Sequence, residues 1–284
     1  MGRMLKVCVL ASGSSGNATL VRTPRTTVLI DAGLSATDLT RRLDGLGVRL
    51  ASLDAILVGH DHGDHTRGLA VLSRRWTGPV YMNRDTADLV REKGRAGRVH
   101  LFENDQVWEI GDFRISPFPV QHDAVDPVGF VLEAGDCKVT VATDLGVVTG
   151  IVREAFRGAR VAVIEANYDR NLLLDGSRPW SLKQRIAGNR GHLENNAAAE
   201  LLAEVGGNCL EDVFLAHLSR DCNLPELALE TVRTRLVREG HTRVRVHLTY
   251  QDRPSREVKT PLAGSSDSHV VSGGNAFDAA GSLG

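Results

Sequence analysis

Long apolar runs are missing from this sequence. No stretch approaches the roughly 20 consecutive apolar residues of a membrane-spanning helix. The first residues carry Arg3 and Lys6 but no apolar segment of a secretory leader, so neither an anchor nor an export signal is expected. Cysteine is also scarce. Cys8, Cys137, Cys209 and Cys222 are scattered without pairing spacing, and Cys8 and Cys137 sit in strand-like runs, where a free thiol behaves as a small hydrophobe. A reduced, cytoplasmic protein is the reading. An excess of one charge is absent too: 34 Lys and Arg stand against 35 Asp and Glu, a net charge of −1. No global basic field recruits a polyanion, so any such substrate must be held by a local patch and by metal.

What is present is ordinary globular composition, 42% hydrophobic and 24% charged over 284 residues, enough for one sizeable core. The chain is organised around His60-Asp61-His62-Gly63-Asp64-His65, with three imidazoles and two carboxylates in six residues. Residues 54–59 before it read as a buried strand. If the strand continues, His60, His62 and Asp64 lean to one side. Gly63 then permits a bend, and His65 leads into a helix over 66–74. Neutral imidazole suits zinc, iron or manganese, and carboxylate compensates charge. The donors exceed what one tetrahedral ion takes from a single loop, which points to two adjacent ions.

Elsewhere the pattern predicts strands over 5–10, 20–22, 26–31, 80–82, 107–108, 113–117, 127–133, 138–143, 161–165, 213–217 and 243–248. Helices are predicted over 36–46 (capped by Ser35), 84–93, 195–205 and 225–239. Strands in two runs, each followed by helices, argue for two packed sheets with helices outside. From Ala263 the chain turns Gly/Ser-rich, so residues 1–262 are expected to form the domain and 263–284 a disordered tail. Three further candidate ligands, His122, Asp144 and His217, each follow an apolar strand, and loops at one edge of a sheet converge in space. Singly, each has a bland reading as a surface histidine or a turn former. Together with the first motif they complete two sites.

These residues carry a resemblance. His-x-His-x-Asp-His at 60–65 followed by His122, Asp144 and His217 resembles the signature of the metallo-β-lactamase superfamily. Within it the chain is similar to the YycJ/WalJ-type proteins, through residues 11–17, 121–130, 142–146, 165–169, 191–193 and 216–223. The resemblance implies an α+β fold, a four-layer αββα sandwich, with a dinuclear centre and phosphodiester hydrolysis, DNA exonuclease activity being proposed for the group. It implies one ion on His60, His62 and His122, another on Asp64, His65 and His217, and Asp144 bridging. Two departures bear on substrate contacts: Glu194 stands where a serine is common, and Tyr168 where a histidine is.

The reaction expected is a two-metal hydrolysis in which water held between the ions loses its proton and attacks phosphorus. Asp64 or Asp144 would steer the water, and His192 would supply the departing oxygen with a proton. Ser14 and Asn17 in the Ser/Gly loop, with Ser219 and Asn223, are candidate substrate contacts. His100, His241, His247 and His269 lack evident partners and read as surface or tail residues. Two basic stretches, Arg91-Lys93-Arg95-Arg98 and Arg233-Arg235-Arg238, read as solvated faces before they read as nucleic-acid contacts. Residues 178–185 mix cations with Trp180, which would either grip a strand or anchor packing. The alternatives are a thioester, lactam or lactone hydrolase or an RNA-processing nuclease on the same scaffold, a di-iron redox protein, and a metal-binding module without turnover. Neither a flavin nor a nucleotide cofactor is expected, and the metal and the oligomeric state stay open.

Overall fold

The computed structural model describes residues 3–92, 98–207 and 209–262. The expected tail 263–284 with His269, and Lys93 and Arg95 of the first basic stretch, lie outside the described residues. In the first half, β1 (Met4–Ala11), β2 (Ala18–Arg22) and β3 (Thr27–Ile30) form an antiparallel meander. Helix α1 (Ala36–Gly45) leads to β4 (Ala55–Leu57). Two single-turn helices, α2 (Gly63–Thr66) and α3 (Leu69–Leu72), precede β5 (Pro79–Asn83), and α4 (Arg84–Glu92) precedes β6 (Arg98–Phe102). Strands β3 to β6 are parallel.

The second half repeats this plan. Strands β7 (Trp108–Ile110), β8 (Phe113–Pro119), β9 (Val128–Ala134) and β10 (Cys137–Ala142) are antiparallel. Then β11 (Val161–Glu165), β12 (Asp212–Ala216) and β13 (Arg245–Leu248) continue in parallel from β10. The connections hold α5 (Gly150–Phe156), α6 (Arg170–Asp175), α7 (Trp180–Ile186), α8 (Asn195–Val205) and α9 (Pro225–Arg238). A last strand, β14 (Val258–Pro261), returns to pair with β1, Val258 opposite Val7.

The result is two seven-stranded sheets, β14-β1-β2-β3-β4-β5-β6 and β13-β12-β11-β10-β9-β8-β7. Between them lies a core containing Val7, Val28, Leu57, Phe113, Phe130, Val139, Val163 and Phe214. The outer face of the first sheet packs Leu20, Leu29 and Ile56 with Leu39 and Leu43 of α1 and Leu69 of α3. That of the second packs Ile164 and Leu215 with Phe156 of α5, Leu201 of α8 and Val232 of α9. Helix, sheet, sheet, helix is the four-layer arrangement expected. Central strands buried on both faces read as continuous apolar runs, which is why β11 and β12 were visible in the sequence.

Three local expectations differ from the structure. The strand before the histidine cluster stops at Leu57, and α2 starts at Gly63, with His62 in extended conformation at its N-cap. The cluster is therefore a loop running into a helix, not an extended strand with alternating donors. The edge strands β6 and β14 and helices α5 to α7 carry no clear apolar periodicity and were not predicted. Two lone histidines also have partners: His247 Nε2 donates to Asp212 at 2.7 Å, and His241 Nε2 lies 2.9 Å from the Ala203 carbonyl. No helix among the described residues is long and apolar enough to cross a membrane.

Candidate metal centre

The centre assembles where strands end. In the first sheet β1, β3 and β4 point one way; in the second β8, β10, β11 and β12 do. The loops at their carboxyl ends meet through Val128 N donating to Gly59 O (3.0 Å) and His217 N donating to Ser12 Oγ (2.7 Å). Among the described residues four non-glycine residues have positive φ, and three of them, Asp31, Asp144 and His217, lie within two residues of a strand end here. Each turns the chain sharply so that its side chain faces the centre, a conformation that costs about 1 kcal/mol or more and persists only where the surroundings impose it.

Seven side chains converge. One candidate ligand atom each from His60, His62 and His122 lie within 4.8 Å of one another, as do those of His60, His65 and Asp144. His217 Nε2 is 3.7 Å from Asp64 Oδ2 and 3.5 Å from Asp144 Oδ1, and His65 Nε2 is 2.9 Å from Asp144 Oδ2. His65 is fully buried, and His60, Asp144 and His217 expose 3% or less. Yet His60 Nε2 and His217 Nε2 have no hydrogen-bond partner, and Asp144 Oδ2 meets only His65 Nε2. Buried polar atoms are ordinarily satisfied, and a divalent cation accounts for an acidic oxygen and imidazole nitrogens aimed at one small volume. The donor set fits metal.

The outward ring nitrogens are held. His65 Nδ1 donates to Asp31 Oδ2 (2.8 Å), His122 Nδ1 to Gly191 O (2.9 Å), and His217 Nδ1 to Glu165 Oε1 (2.8 Å). These contacts fix the tautomer that leaves Nε2 as a ligand. Glu165, the last residue of β11 and fully buried, also accepts His192 Nδ1 at 2.8 Å and the backbone N–H groups of Leu145 and Leu193. With both oxygens so engaged it supports ligands rather than serving as one. Glu165 and Asp31 had no role assigned from the sequence. For Glu165 the available signal was an acid closing a strand whose other residues are all apolar.

Electrostatics follow this geometry. Burial pushes His60 well below the usual imidazole range and His122 below it. Burial opposes charge on Asp144 as well, but His217 and His65 outweigh it and hold the carboxyl well below its ordinary value. His65 and His217 lie well above theirs, since Asp31 and Asp144 for the one, and Asp144, Asp64 and Glu165 for the other, overcome burial. His192 is raised in the same way by Glu165. Half-buried, it stacks on His217 with ring centroids 5.0 Å apart.

Of the candidate substrate contacts, Ser14 and Ser219 line a cavity of about 420 Å³ that opens onto His122 and His192. Asn17 and Asn223 do not. Asn17 is buried, with Nδ2 3.3 Å from Asp64 Oδ2 and 3.0 Å from His65 Nε2, and its Oδ1 accepts from Gly13 N. It positions metal-facing side chains. Asn223 is buried in a reciprocal amide pair with Asn195 and donates to the Ala166 and Asn167 carbonyls, which pins the loop after β12. The two departures from the family pattern also do not line the cavity. Tyr168 is buried with Leu173 and Cys222, and burial pushes its phenol up to about 12. Glu194 pairs with Arg170 at 3.6 Å. Trp180 is 62% exposed, so it is no packing anchor.

Comparison with known proteins agrees with this geometry. The Beta-lactamase superfamily domain matches residues 26–217. Exodeoxyribonuclease WalJ of Streptococcus pneumoniae is 37% identical over 262 residues, covering 90% of this chain and 97% of that protein. Exodeoxyribonuclease YycJ of Bacillus anthracis is 35% identical over 239 residues, covering 83% and 90%. The solved metallo-β-lactamase fold protein YhfI from Bacillus subtilis has the same fold, with a TM-score of 0.70 at 17% identity over 92% of this chain and all of that one. The chain belongs to the metallo-β-lactamase superfamily and, within it, to the WalJ/YycJ-type group.

Proposed function

We infer that the protein is a metal-dependent exodeoxyribonuclease, with residues 1–262 as its hydrolase domain. The observation that carries this reading is the complete set of seven donors, with unpartnered His60 Nε2 and His217 Nε2, beside an arginine-rimmed cavity. His60, His62 and His122 would hold one divalent cation, and Asp64, His65 and His217 the other, with Asp144 between them. Such ions activate water near neutral pH and neutralise charge that develops on phosphoryl oxygens. Zinc or manganese suits the mixed imidazole and carboxylate set, and iron is compatible with it.

The chain's own residues supply the rest. Asp64 and Asp144 orient the attacking water. His192, with Nδ1 anchored on Glu165, turns Nε2 toward the cavity and delivers a proton to the departing oxygen. Four arginines at the cavity rim, against two aspartates that pair with Arg178 and Arg185, favour an anionic substrate over the narrow apolar pocket that a thioester, lactam or lactone would need. Free cysteines, three of the four buried, support a reduced cytoplasmic setting.

The test is linear duplex DNA labelled at either end, incubated with Mn²⁺- or Zn²⁺-loaded protein. Early release of mononucleotides from one end is expected, with loss of roughly three orders of magnitude in Asp144→Ala. Absence of cleavage with either metal, in protein shown by elemental analysis to carry it, would remove the nuclease reading.

A further inference from the structure

A second cavity, of about 620 Å³, lies on the outer face of the first sheet. Inner positions of β1 and β2, such as Leu5, Val7 and Val21, belong to the core between the sheets. Outer positions Cys8, Leu10 and Leu20 pack against α1. Lys6 and Arg22 continue that outer face, as Lys259 does beside the inward Val258, past the point where α1 ends at Gly45. All three cations line the cavity, and so do Gly47 and Val48, which follow the helix. Lys6 stands six residues before Ser12, so the cavity is about 20 Å along β1 from the loops that face the metal donors.

The sheet register aligns these charges. Lys6 is directly opposite Arg22 on one side and Lys259 on the other. Three cations therefore form one row across three adjacent strands, where facing side chains are about 5 Å apart at Cβ and like charges repel. A single carboxylate serves the row: Glu257 accepts from Arg22 and lies 3.9 Å from Lys259 Nζ. Lys6, half-buried in the middle, has no hydrogen bond or ion pair among the described residues. No acid lines the cavity, whereas Asp123 and Asp221 line the one beside the metal donors. The nearby Asp112 is taken up by Thr23 and Arg25, and Asp54 by the Thr27 N–H. Three cations less one carboxylate leave two positive charges without a counter-charge in the protein.

We propose that this cavity is a second ligand site, separate from the metal centre, which takes a phosphomonoester of nucleotide size. Its phosphate binds Lys6 and Lys259, and its base and sugar lie against Met4, Pro24 and Val48. Lysine serves phosphate as a point charge, while the Arg22 guanidinium stays on Glu257. A phosphomonoester carries close to two negative charges at neutral pH and cancels the surplus; each phosphodiester of a nucleic-acid backbone carries one. The volume falls within the roughly 300–1,000 Å³ of small-ligand pockets and exceeds what inorganic phosphate fills.

The experiment uses full-length metal-loaded protein, with turnover of bis(p-nitrophenyl) phosphate reporting the metal centre. Lys6→Gln keeps most of the side chain and removes its charge. Without ligand this change should raise Tm by about 1–3 °C at low salt, because repulsion in the row is relieved. Deoxyadenosine 5′-monophosphate at about tenfold excess over Kd should raise the Tm of the unaltered protein by roughly 3–6 °C. Nucleotide held by the metal centre adds equally to both proteins, so the quantity read is the difference between them. That difference should persist when both also carry Asp144→Ala. By calorimetry Lys6→Gln should weaken binding of the monophosphate about tenfold or more, with turnover unchanged. Equal Tm rises with and without Lys6→Gln would overturn the proposal, as would a lower Tm from Lys6→Gln alone. Inorganic phosphate binding as tightly as the nucleotide would overturn the choice of occupant. So would a short DNA duplex whose affinity falls with Lys6→Gln while that of the monophosphate does not.

Discussion

The two halves of the molecule follow the same plan of antiparallel strands running into parallel ones, yet they build their shares of the centre differently. The first half concentrates His60, His62, Asp64 and His65 in one loop and start of helix, whose main chain is tied down by backbone hydrogen bonds while Asp31 and Asn17 hold the His65 ring. Asn17 N donates to Asp64 O at 2.7 Å, Ala32 N to His65 O at 2.8 Å, and Gly33 N to Asn17 O at 2.9 Å. The second half places His122, Asp144 and His217 singly after separate strands, and it orients His217, together with the auxiliary His192, through one side chain, Glu165. Each half leans on a carboxylate, Asp31 or Glu165, but the first is in addition vulnerable to crowding of its main chain, whereas in the second one carboxylate orients two imidazoles.

The sharpest way to break the first half is Gly33→Ala. A Cβ there would stand 1.5 Å from the Asp64 carbonyl oxygen and 2.7 Å from Asn17 N, both backbone. Neither atom can give way without moving α2. We expect a loss of about 3 kcal/mol, a fall of roughly 6–12 °C in Tm for a protein of this size, and reduced metal content by elemental analysis. An unchanged Tm would show that the loop is more pliant than its contacts indicate.

Glu165→Gln addresses the second half. The amide cannot accept both imidazole N–H groups and both backbone N–H groups at once. Metal affinity and turnover should fall by roughly 10- to 100-fold, with the Tm of metal-free protein moving less than in Gly33→Ala. Titration of the apo-protein with Zn²⁺ and a thermal melt separate the two outcomes. If the melt shifts as much as for Gly33→Ala, the contrast between the halves is wrong.

The smallest effect is expected at Asp212, a second buried carboxylate in the same half with no link to metal. It accepts from Arg245 Nε (2.8 Å) and His247 Nε2 (2.7 Å). Burial raises its pKa, but these contacts outweigh burial and leave it below the ordinary Asp value. A carboxylate with a depressed folded pKa adds stability above its unfolded pKa, about 3.9, and loses it as pH falls through the folded value. Asp212→Asn should therefore cost about 1–2 kcal/mol near neutrality and progressively less below pH 4, without changing metal content. Melts at pH 7 and pH 3.5 test this.

The same contrast explains what was legible in the sequence. The four clustered donors declare themselves by density, and the apolar runs of β11 and β12 by burial on both faces. His122, Asp144 and His217 could be picked out because each follows such a run. Glu165 and Asp31 escaped because a single acid at a strand end looks like any turn former, and only the fold shows what it faces. Asn17 and Asn223 were misplaced because amides in loops serve substrate and backbone alike. The edge strands β6 and β14 have no two-sided burial and hence no apolar signature. The positive φ angles at Asp31, Asp144 and His217 are imposed by tertiary contacts, which local sequence does not report.

The return of β14 to β1 has a consequence for biosynthesis. β1 leads into Ser12, whose hydroxyl accepts from His217 N, and whose own N–H donates to the Tyr250 carbonyl. Until residues 258–261 have been made, β1 remains an open edge, and until residue 217 has been made the centre lacks one of its seven candidate donors. A chain made only as far as residue 216 thus holds an incomplete set of donors, and one made only as far as residue 257 leaves an edge of the first sheet unpaired.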